Sequence, residues 1–365
     1  MKATIDRNAL DAGLGIVGAV VPSRTPKDIL KSVRVTAESD VVVLTATDGS
    51  VGIRYAVAQA EVTEPGDLLL PADKLGQIVH NSADEVLAFE TEGSGCHIRG
   101  RDSHFEVYGQ EPEEFPPVPS LEDGGQLTLS AGALGALIDK TVYAAAKENT
   151  RYAINGVLCE KKAGQLKLVG TDGRRLALAN CKVDKGGEEE LRAILPVRTM
   201  RIAQRLLGDA DSPVVIRISD NQFLMRVGGA HLSSVLVEGN FPSYQEVVPT
   251  DGDIKVELET EALLSAVRRA ALLTDEDSKG IRLSFTEGEL VLSSRTPERG
   301  EATIRMPVKY PGVAMDIGFN PTYLADALNV AGSDTITLEL KEPKRPGLLR
   351  VGQDYLCVVM PVSLS

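Results

Sequence analysis

The sequence predicts an α+β protein of three tandem domains, each holding two helices and about eight short antiparallel strands. Three observations carry that prediction. They are an internal repeat with a period of about 125 residues, strand-like alternation of apolar and polar residues between helical segments, and Pro/Gly-rich stretches where one copy passes into the next. A length of 365 residues suits two to four domains at roughly 100 to 200 residues each. Hydrophobic residues at 43% and charged residues at 25% are the mixture of a folded chain, and 4% aromatics with no Trp make its cores aliphatic.

Each copy opens on a short alternating strand, a capping residue and a helix. Ala3-Thr4-Ile5 with Ala9-Leu10 recurs as Leu127-Thr128-Leu129 with Ala133-Leu134, and again as Val256-Glu257-Leu258 with Ala262-Leu263. Asp6, Ser130 and Thr260 stand where an N-cap is wanted. Behind them Leu10, Leu14 and Val17 match Leu134, Ile138 and Thr141, then Leu263, Val267 and Ala270, at helical spacing. Thr47-Asp48-Gly49 follows the strand VVVLTA, and Thr171-Asp172-Gly173 follows LKLVG; Asp-Gly there reads as a hairpin turn. The third copy, ELVLSSRTPERGEATI, keeps the strands and loses the dipeptide.

A strand end then turns into a second amphipathic helix in LLPADKLGQIV from Leu69, ILPVRTMRIA from Ile194 and GFNPTYLADAL from Gly318. Phe115-Pro116 and Phe241-Pro242 mark extended linkers, which sets the domains at 1–121, 122–249 and 250–365. Helices are expected at 7–20, 71–80, 134–147, 196–205, 262–271 and 321–330. Domains of this kind can join edge to edge into an arc with their helices on one face.

Charge is distributed unevenly. The chain carries 39 basic and 52 acidic residues, a net −13 that by itself argues against nucleic acid. The six helical windows instead sum to +5, leaving −18 on the remainder. Lys74, Lys140, Lys147, Arg198, Arg201, Arg205, Arg268 and Arg269 carry the excess. Arg and Lys are also good helix formers that solvate an outer face; the functional alternative is a basic helical face turned toward phosphates.

Several function classes are disfavoured. Asp6 and Arg7 interrupt the place of a signal peptide's apolar stretch, and no run of about 18 uncharged apolar residues exists, so a cytosolic protein is expected. Cys96, Cys159, Cys181 and Cys357 form no CxxC pair, and the four histidines complete no tetrahedral shell, so no metal or disulfide is expected. Gly13, Gly15 and Gly18 in GLGIVG match a dinucleotide fingerprint, with Asp40 about 20 residues on. The first glycine nevertheless falls eight residues after the strand, past the cap Asp6, instead of in the turn directly behind it. No Ser-His-Asp set or Walker motif appears, and neither catalysis nor a cofactor is expected. A purely structural repeat scaffold is the other rival.

The segments TRYAINGVLCE (150–160), LVGTDGRRLAL (168–178), EGNFPSYQEVVP (238–249) and YLCVVMPVSL (355–364) resemble the bacterial DNA polymerase III beta subunit family, the sliding clamps, over essentially the whole chain. The resemblance implies three DNA-clamp domains that pair head to tail as a homodimeric ring around double-stranded DNA, without sequence preference. It implies a non-catalytic processivity factor of the replicative polymerase. Its ring joint matches Phe105 and Val107 on one side and Leu272 and Leu273 on the other.

The family's groove for short linear peptides matches Ile154, Thr171, Gly173, Arg174, Arg175, Leu176, Pro242, Val247, Val358, Met360, Pro361 and Val362. Aliphatic and Met side chains suit an adaptable slot, with Thr171 and Arg175 expected to orient a peptide's polar atoms. The peptides come from the polymerase III alpha subunit, the clamp-loader delta subunit, other polymerases and mismatch-repair proteins. The family's DNA contacts match Arg24, Lys74, Asn149, Tyr152, Arg198 and Arg205. Glu246 and Ser363 depart from arginines at the groove edge, and Ala153 from an aromatic near DNA.

Overall fold

The computed structural model describes residues 1–122, 124–147, 153–219, 221–250, 252–274, 280–297 and 299–363. The first repeat runs β1 (Lys2–Asp6), α1 (Arg7–Val17), β2 (Ser32–Glu38), β3 (Val41–Thr47), β4 (Val51–Val57), β5 (Ala60–Glu64), β6 (Gly66–Pro71), α2 (Ala72–Asn81), β7 (Val86–Glu92), β8 (Gly95–Arg99) and β9 (His104–Tyr108). The second runs β10 (Leu127–Ser130), α3 (Ala131–Val142), β11 (Gly156–Lys162), β12 (Gln165–Thr171), β13 (Arg175–Lys182), β14 (Lys185–Gly186), β15 (Leu191–Pro196), α4 (Val197–Leu206), β16 (Pro213–Ile218), β17 (Gln222–Val227) and β18 (Ala230–Val235). The third runs β19 (Ile254–Glu259), α5 (Thr260–Ala271), β20 (Ile281–Thr286), β21 (Glu289–Thr296), β22 (Gly300–Pro307), β23 (Met315–Phe319), α6 (Pro321–Asn329), β24 (Thr335–Leu340), β25 (Gly347–Val351) and β26 (Tyr355–Val359).

Local chemistry explains the repeated starts. The amides of Arg7, Ala131 and Thr260 donate to the carbonyls of Glu85, Ser212 and Asp334 at 2.8, 2.9 and 2.8 Å, so each leading helix is pinned to the same neighbouring strand. Asp6 and Ser130 cap as expected, accepting from the amides of Ala9 (2.8 Å) and Ala133 (3.2 Å). Thr260 does not: it lies inside α5, and its buried hydroxyl finds no partner among the described residues.

The expected helix at 134–147 begins earlier, at Ala131, because Ser130 caps it. It ends at Val142, where the amides of Ala144 and Ala145 bond three residues back. The expected helix at 7–20 ends at Val17, as Gly18 and Ala19 pass into a turn. Gly13 sits mid-helix in α1, where a Cβ would stand 2.9 Å from Leu44 and 3.0 Å from Tyr55. That glycine serves close helix-to-sheet packing.

Strand pairing divides the sheets unevenly. The orders are β5-β1-β7-β8-β9, β14-β10-β16-β17-β18-β4-β3-β2-β6, β15-β11-β12-β13-β26-β25-β24-β19 and β22-β21-β20-β23, and every pairing is antiparallel. The long sheets run from one repeat into the next through β18 with β4 and β13 with β26. Two compact units result. One comprises Met1–Leu134, Val183–Gly187 and Arg198–Leu236; the other comprises Gly135–Lys182, Glu188–Val197 and Val237–Ser365. The division falls within the second repeat because both junctions are hydrogen-bonded sheet. One short sheet ends on β5 and β9 and the other on β22 and β23, while the long sheets end on β14 and β6 and on β15 and β19. None of the four cysteines is in a disulfide, three of them are buried, and burial raises Cys159 to about 12.

His231 sits in the first junction, opposite Arg54, and its Nδ1 accepts the Leu121 amide at 3.2 Å. Burial, then Arg54 and Arg226, lower its pKa from the ordinary 6.5. As pH falls through about 6.5 the unfolded chain takes up a proton that the folded chain refuses, so stability declines with acidification there. We predict that the melting temperature falls between pH 7 and 5, and that His231→Gln makes this fall shallower. Parallel pH profiles of the two proteins would refute the assignment.

Candidate functional site

The turn after β12 organises the site. Asp172 Oδ1 accepts the amides of Arg174 (2.9 Å) and Arg175 (3.0 Å), and Gly173 takes φ +83, a conformation that favours glycine. Thr171 Oγ1 donates to the Arg175 carbonyl at 2.7 Å and accepts the Gly173 amide at 3.1 Å. Thr47, Asp48 and Gly49 form the same turn in the first repeat, with Thr47 Oγ1 donating to the Val51 carbonyl at 2.8 Å. The expected Asp-Gly hairpins are therefore present in both copies.

From this turn β13 pairs with β26, setting Leu176 opposite Val358 and Arg175 opposite Val359. The Met360 amide donates to the Arg174 carbonyl at 2.9 Å, extending the pairing one residue past β26. Ile154, Thr171, Gly173, Arg174, Arg175, Leu176, Pro242, Val247, Val358 and Met360 surround one cavity of about 200 Å³. Beneath it Ile154, Leu158, Leu176, Phe241, Tyr244 and Val358 belong to one buried cluster. Val247 and Met360 stand 44% and 38% exposed, which leaves the rim apolar and open.

Two of the twelve expected groove residues fall outside this cavity. Pro361 and Val362 lead away from it, because the Val362 amide donates to the Gly318 carbonyl at 2.9 Å and draws the tail toward β23. Tyr244 also lines the cavity and was missed. Its hydroxyl donates to Glu160 Oε2 at 2.6 Å, and burial with that bond raises its pKa. Its position two residues past Pro242 was the available sequence signal.

The expected role of Arg175 is corrected. Its side chain is 9% exposed: Nε meets Asp172 at 3.1 Å, Nη1 meets Asp326 at 2.6 Å, and Nη2 donates to the Tyr143 carbonyl at 2.7 Å. The guanidinium stacks over Tyr143 and Tyr323, with centroids at 5.2 and 4.6 Å. Burial opposes its charge, and the hydrogen bond it donates to Asp326 with the fields of both carboxylates outweighs this, raising the pKa. Arg175 thus braces the groove from below. The Thr171 hydroxyl is likewise occupied within its turn.

The other expected residues lie elsewhere. Phe105 is 38% exposed on the edge strand β9, whereas Val107 is buried at 9% in its own repeat. Leu272, 74% exposed, and the half-buried Leu273 follow α5. Arg24, Lys74 and Arg205 are exposed, and Arg198 opens α4 in an ion pair with Asp48. Burial disfavours the Asp48 charge, but the amides of Val51 and Ser50, the Ser50 hydroxyl and Arg198 outweigh it and lower the pKa. Asn149 and Tyr152 lie outside the described residues. Glu246 and Ser363 are exposed, and Ala153 is buried. Among the described residues no group of three or more His, Cys, Asp or Glu side chains could hold a metal ion. No helix there is long and apolar enough to cross a membrane.

Comparison with known proteins covers the chain end to end. Family models match the DNA polymerase III beta subunit N-terminal domain at residues 1–119, its central domain at 128–243 and its C-terminal domain at 245–363. The beta sliding clamp of Pseudomonas aeruginosa is 32% identical over 367 residues, covering 100% of both chains. That of Chlamydia pneumoniae is 29% identical, covering 100% of this chain and 99% of the relative. The crystal structure of the P. aeruginosa DNA polymerase III subunit beta superposes with a TM-score of 0.94 at 31% identity, and the Bacillus subtilis sliding clamp with 0.95 at 26%. Both alignments cover 100% of each chain.

Removing the brace has a predictable cost. Arg175→Ala strands Asp172 and Asp326 without their cation, and we expect a loss of roughly 2 to 4 kcal/mol in urea unfolding. Arg175→Lys should recover only part of it, since a lysine cannot hold two carboxylates and a carbonyl in one plane. A loss below about 0.5 kcal/mol for the alanine variant would show that the cluster is not structural.

Proposed function

The chain belongs to the DNA polymerase III beta subunit family, and from that premise we propose that two copies close head to tail around duplex DNA and tether the polymerase through the groove at Leu176 and Met360. It is a sliding clamp of DNA polymerase III and serves DNA replication. Its domains in this reading are 1–121, 122–249 and 250–365. It is a cytoplasmic, non-catalytic subunit of the holoenzyme.

The observation that carries the ring is the sheet inventory. Both junctions within the chain join an edge strand of one repeat to an edge strand of the next, β18 to β4 and β26 to β13. The strands at the matching places in the repeat pattern, β9 and β22, are left over. Pairing β9 of one copy with β22 of the next satisfies both edges, and twofold closure stops the contact from growing into a filament. Phe105, Leu272 and Leu273 are the apolar side chains this joint would cover, at about 1.5 to 3 kcal/mol for each one fully buried.

Enclosure explains why so acidic a chain can hold DNA. A topologically held ring needs few phosphate contacts, and screened contacts of about 1 kcal/mol or less permit sliding. Arg24, Lys74, Arg198 and Arg205, with Asn149 and Tyr152, are the residues assigned to that contact. At the groove, burying about 300 Å² of a peptide at roughly 25 cal/mol per Å² gives about 7 kcal/mol gross. Ordering costs reduce this to exchangeable binding, so the alpha subunit, the clamp-loader delta subunit, other polymerases and mismatch-repair proteins can alternate.

Solution mass should equal two chains, about 78 kDa, and Phe105→Arg with Leu272→Arg, which sets like charges across the joint, should halve it. A monomer in the unmodified protein at micromolar concentration would sink the ring. Loaded protein should stay on nicked circular plasmid and leave after linearisation; release that ignores linearisation would contradict encirclement. Val247→Glu and removal of residues 360–365 should each weaken polymerase-peptide binding at least tenfold without altering the fold, since β26 ends at Val359. Unchanged affinity would move the groove elsewhere.

A further inference from the structure

The hairpin of β8 and β9 brings together two of the chain's four histidines. Its register sets His97 opposite Glu106 and Arg99 opposite His104, so these four side chains share one face of the sheet, while Phe105 and Val107 alternate onto the other. On the shared face His97 Nδ1 and His104 Nε2 stand 3.1 Å apart, with ring centroids at 5.2 Å and ring planes tilted by 38°. The side chain of His97 is held against the sheet at 17% exposure, whereas His104 is exposed.

Glu92 fixes the orientation of the inner ring. Its Oε2 lies 3.6 Å from His97 Nε2. A carboxylate behind an imidazole favours the proton on the nitrogen that faces it, which leaves the lone pair of Nδ1 directed at His104. Two nitrogens held at about 2.0 to 2.1 Å from one ion lie about 2.8 to 3.4 Å apart for angles between a right angle and the tetrahedral one. The observed separation falls inside that span, so a modest turn of the rings aims both lone pairs at one point. The charges nearby do not repel a cation: on the same face Glu90, Glu92 and Glu106 stand against Lys2 and Arg99, and Arg99 is paired with Glu90 at 2.5 Å.

We propose that His97 and His104 form a two-histidine site for a divalent late first-row transition ion, Cu²⁺ most tightly and Zn²⁺ less so. Imidazole suits these ions, and affinity for a given donor set rises to Cu²⁺ along the series. Mg²⁺ and Ca²⁺ want oxygen donors and are excluded. Cys96, the neighbour of His97, is buried on the opposite face across from Val107, so no thiolate joins the set. No third His, Cys, Asp or Glu side chain completes it among the described residues, and water fills the remaining positions. On binding, the His104 proton passes from Nε2 to Nδ1 by way of water, and both rings stay neutral. Because the two ligands stand on adjacent strands, the bound ion ties β9 to β8. The site uses one chain only and does not rest on the ring.

The test is calorimetric titration of the full chain with Cu²⁺, Zn²⁺ and Mg²⁺, followed by amide hydrogen exchange. One Cu²⁺ per chain should bind reversibly to chelator, Zn²⁺ should bind more weakly at the same place, and Mg²⁺ should give no heat. His104→Ala, at an exposed position that does not threaten folding, and His97→Gln should each weaken Cu²⁺ at least tenfold. His80→Ala, at a histidine paired with Asp11, should leave the affinity unchanged. Saturating Cu²⁺ should slow exchange along residues 95–99 and 104–108 in the unmodified protein and not in His104→Ala. Unchanged affinity in both pair variants, loss of binding in His80→Ala or Cys181→Ser instead, or slowed exchange confined to other strands would overturn the assignment.

Discussion

A strand edge cannot be left dry. Each edge presents backbone amides and carbonyls that require a partner, and in this chain that requirement decides how repeats are joined. Side-chain contacts such as Arg198 with Asp48 and Arg175 with Asp326 flank each junction, but the backbone ladder is what makes it continuous. The ladder continues through β18 and β4, and again through β13 and β26, so a junction is as cooperative as a sheet interior. Compactness therefore follows the sheets and ignores the repeat boundaries, and the second repeat is shared between two units. In the proposed ring, β9 and β22 take the places that β18 and β26, and β4 and β13, hold within the chain.

The two junctions differ in side chains at matching places, and only one of them holds the groove. Gly52 and Leu176 hold matching places, 124 residues apart, and Val118 and Tyr244 hold matching places in the linkers that follow. At the first junction a Cβ on Gly52 would stand 2.6 Å from Val118 Cγ1, so the linker lies flush on the strand. At the second, Leu176 and Tyr244 both line an open cavity. Arg175 then fixes the strand beneath by joining Asp172, Asp326 and the Tyr143 carbonyl. The groove is thus a repeat junction that did not close, held by the two ion pairs of Arg175.

The repeat, the α+β class, the six helices and the two Asp-Gly turns were legible in the sequence, because each rests on chemistry within a few residues. Asp6 and Ser130 cap through a side chain three residues from its donor. The groove was legible mainly by resemblance, which supplied ten of its lining residues. What escaped was long-range. The contact between Arg175 and Asp326 spans 151 positions, and no local pattern reveals that both groups are consumed. Val362 leaves the cavity because of a bond to Gly318, and Thr260 fails as a cap because the helix begins on it.

The measurement that bears most directly on this account is amide hydrogen exchange of β9 and β22 in the unmodified protein across a dilution series. Protection at micromolar concentration comparable to that of β4 and β18, falling on dilution at both strands together, is the predicted result. Free exchange of both strands at every concentration, while the internal junctions stay protected, would contradict the claim that these two edges complete each other.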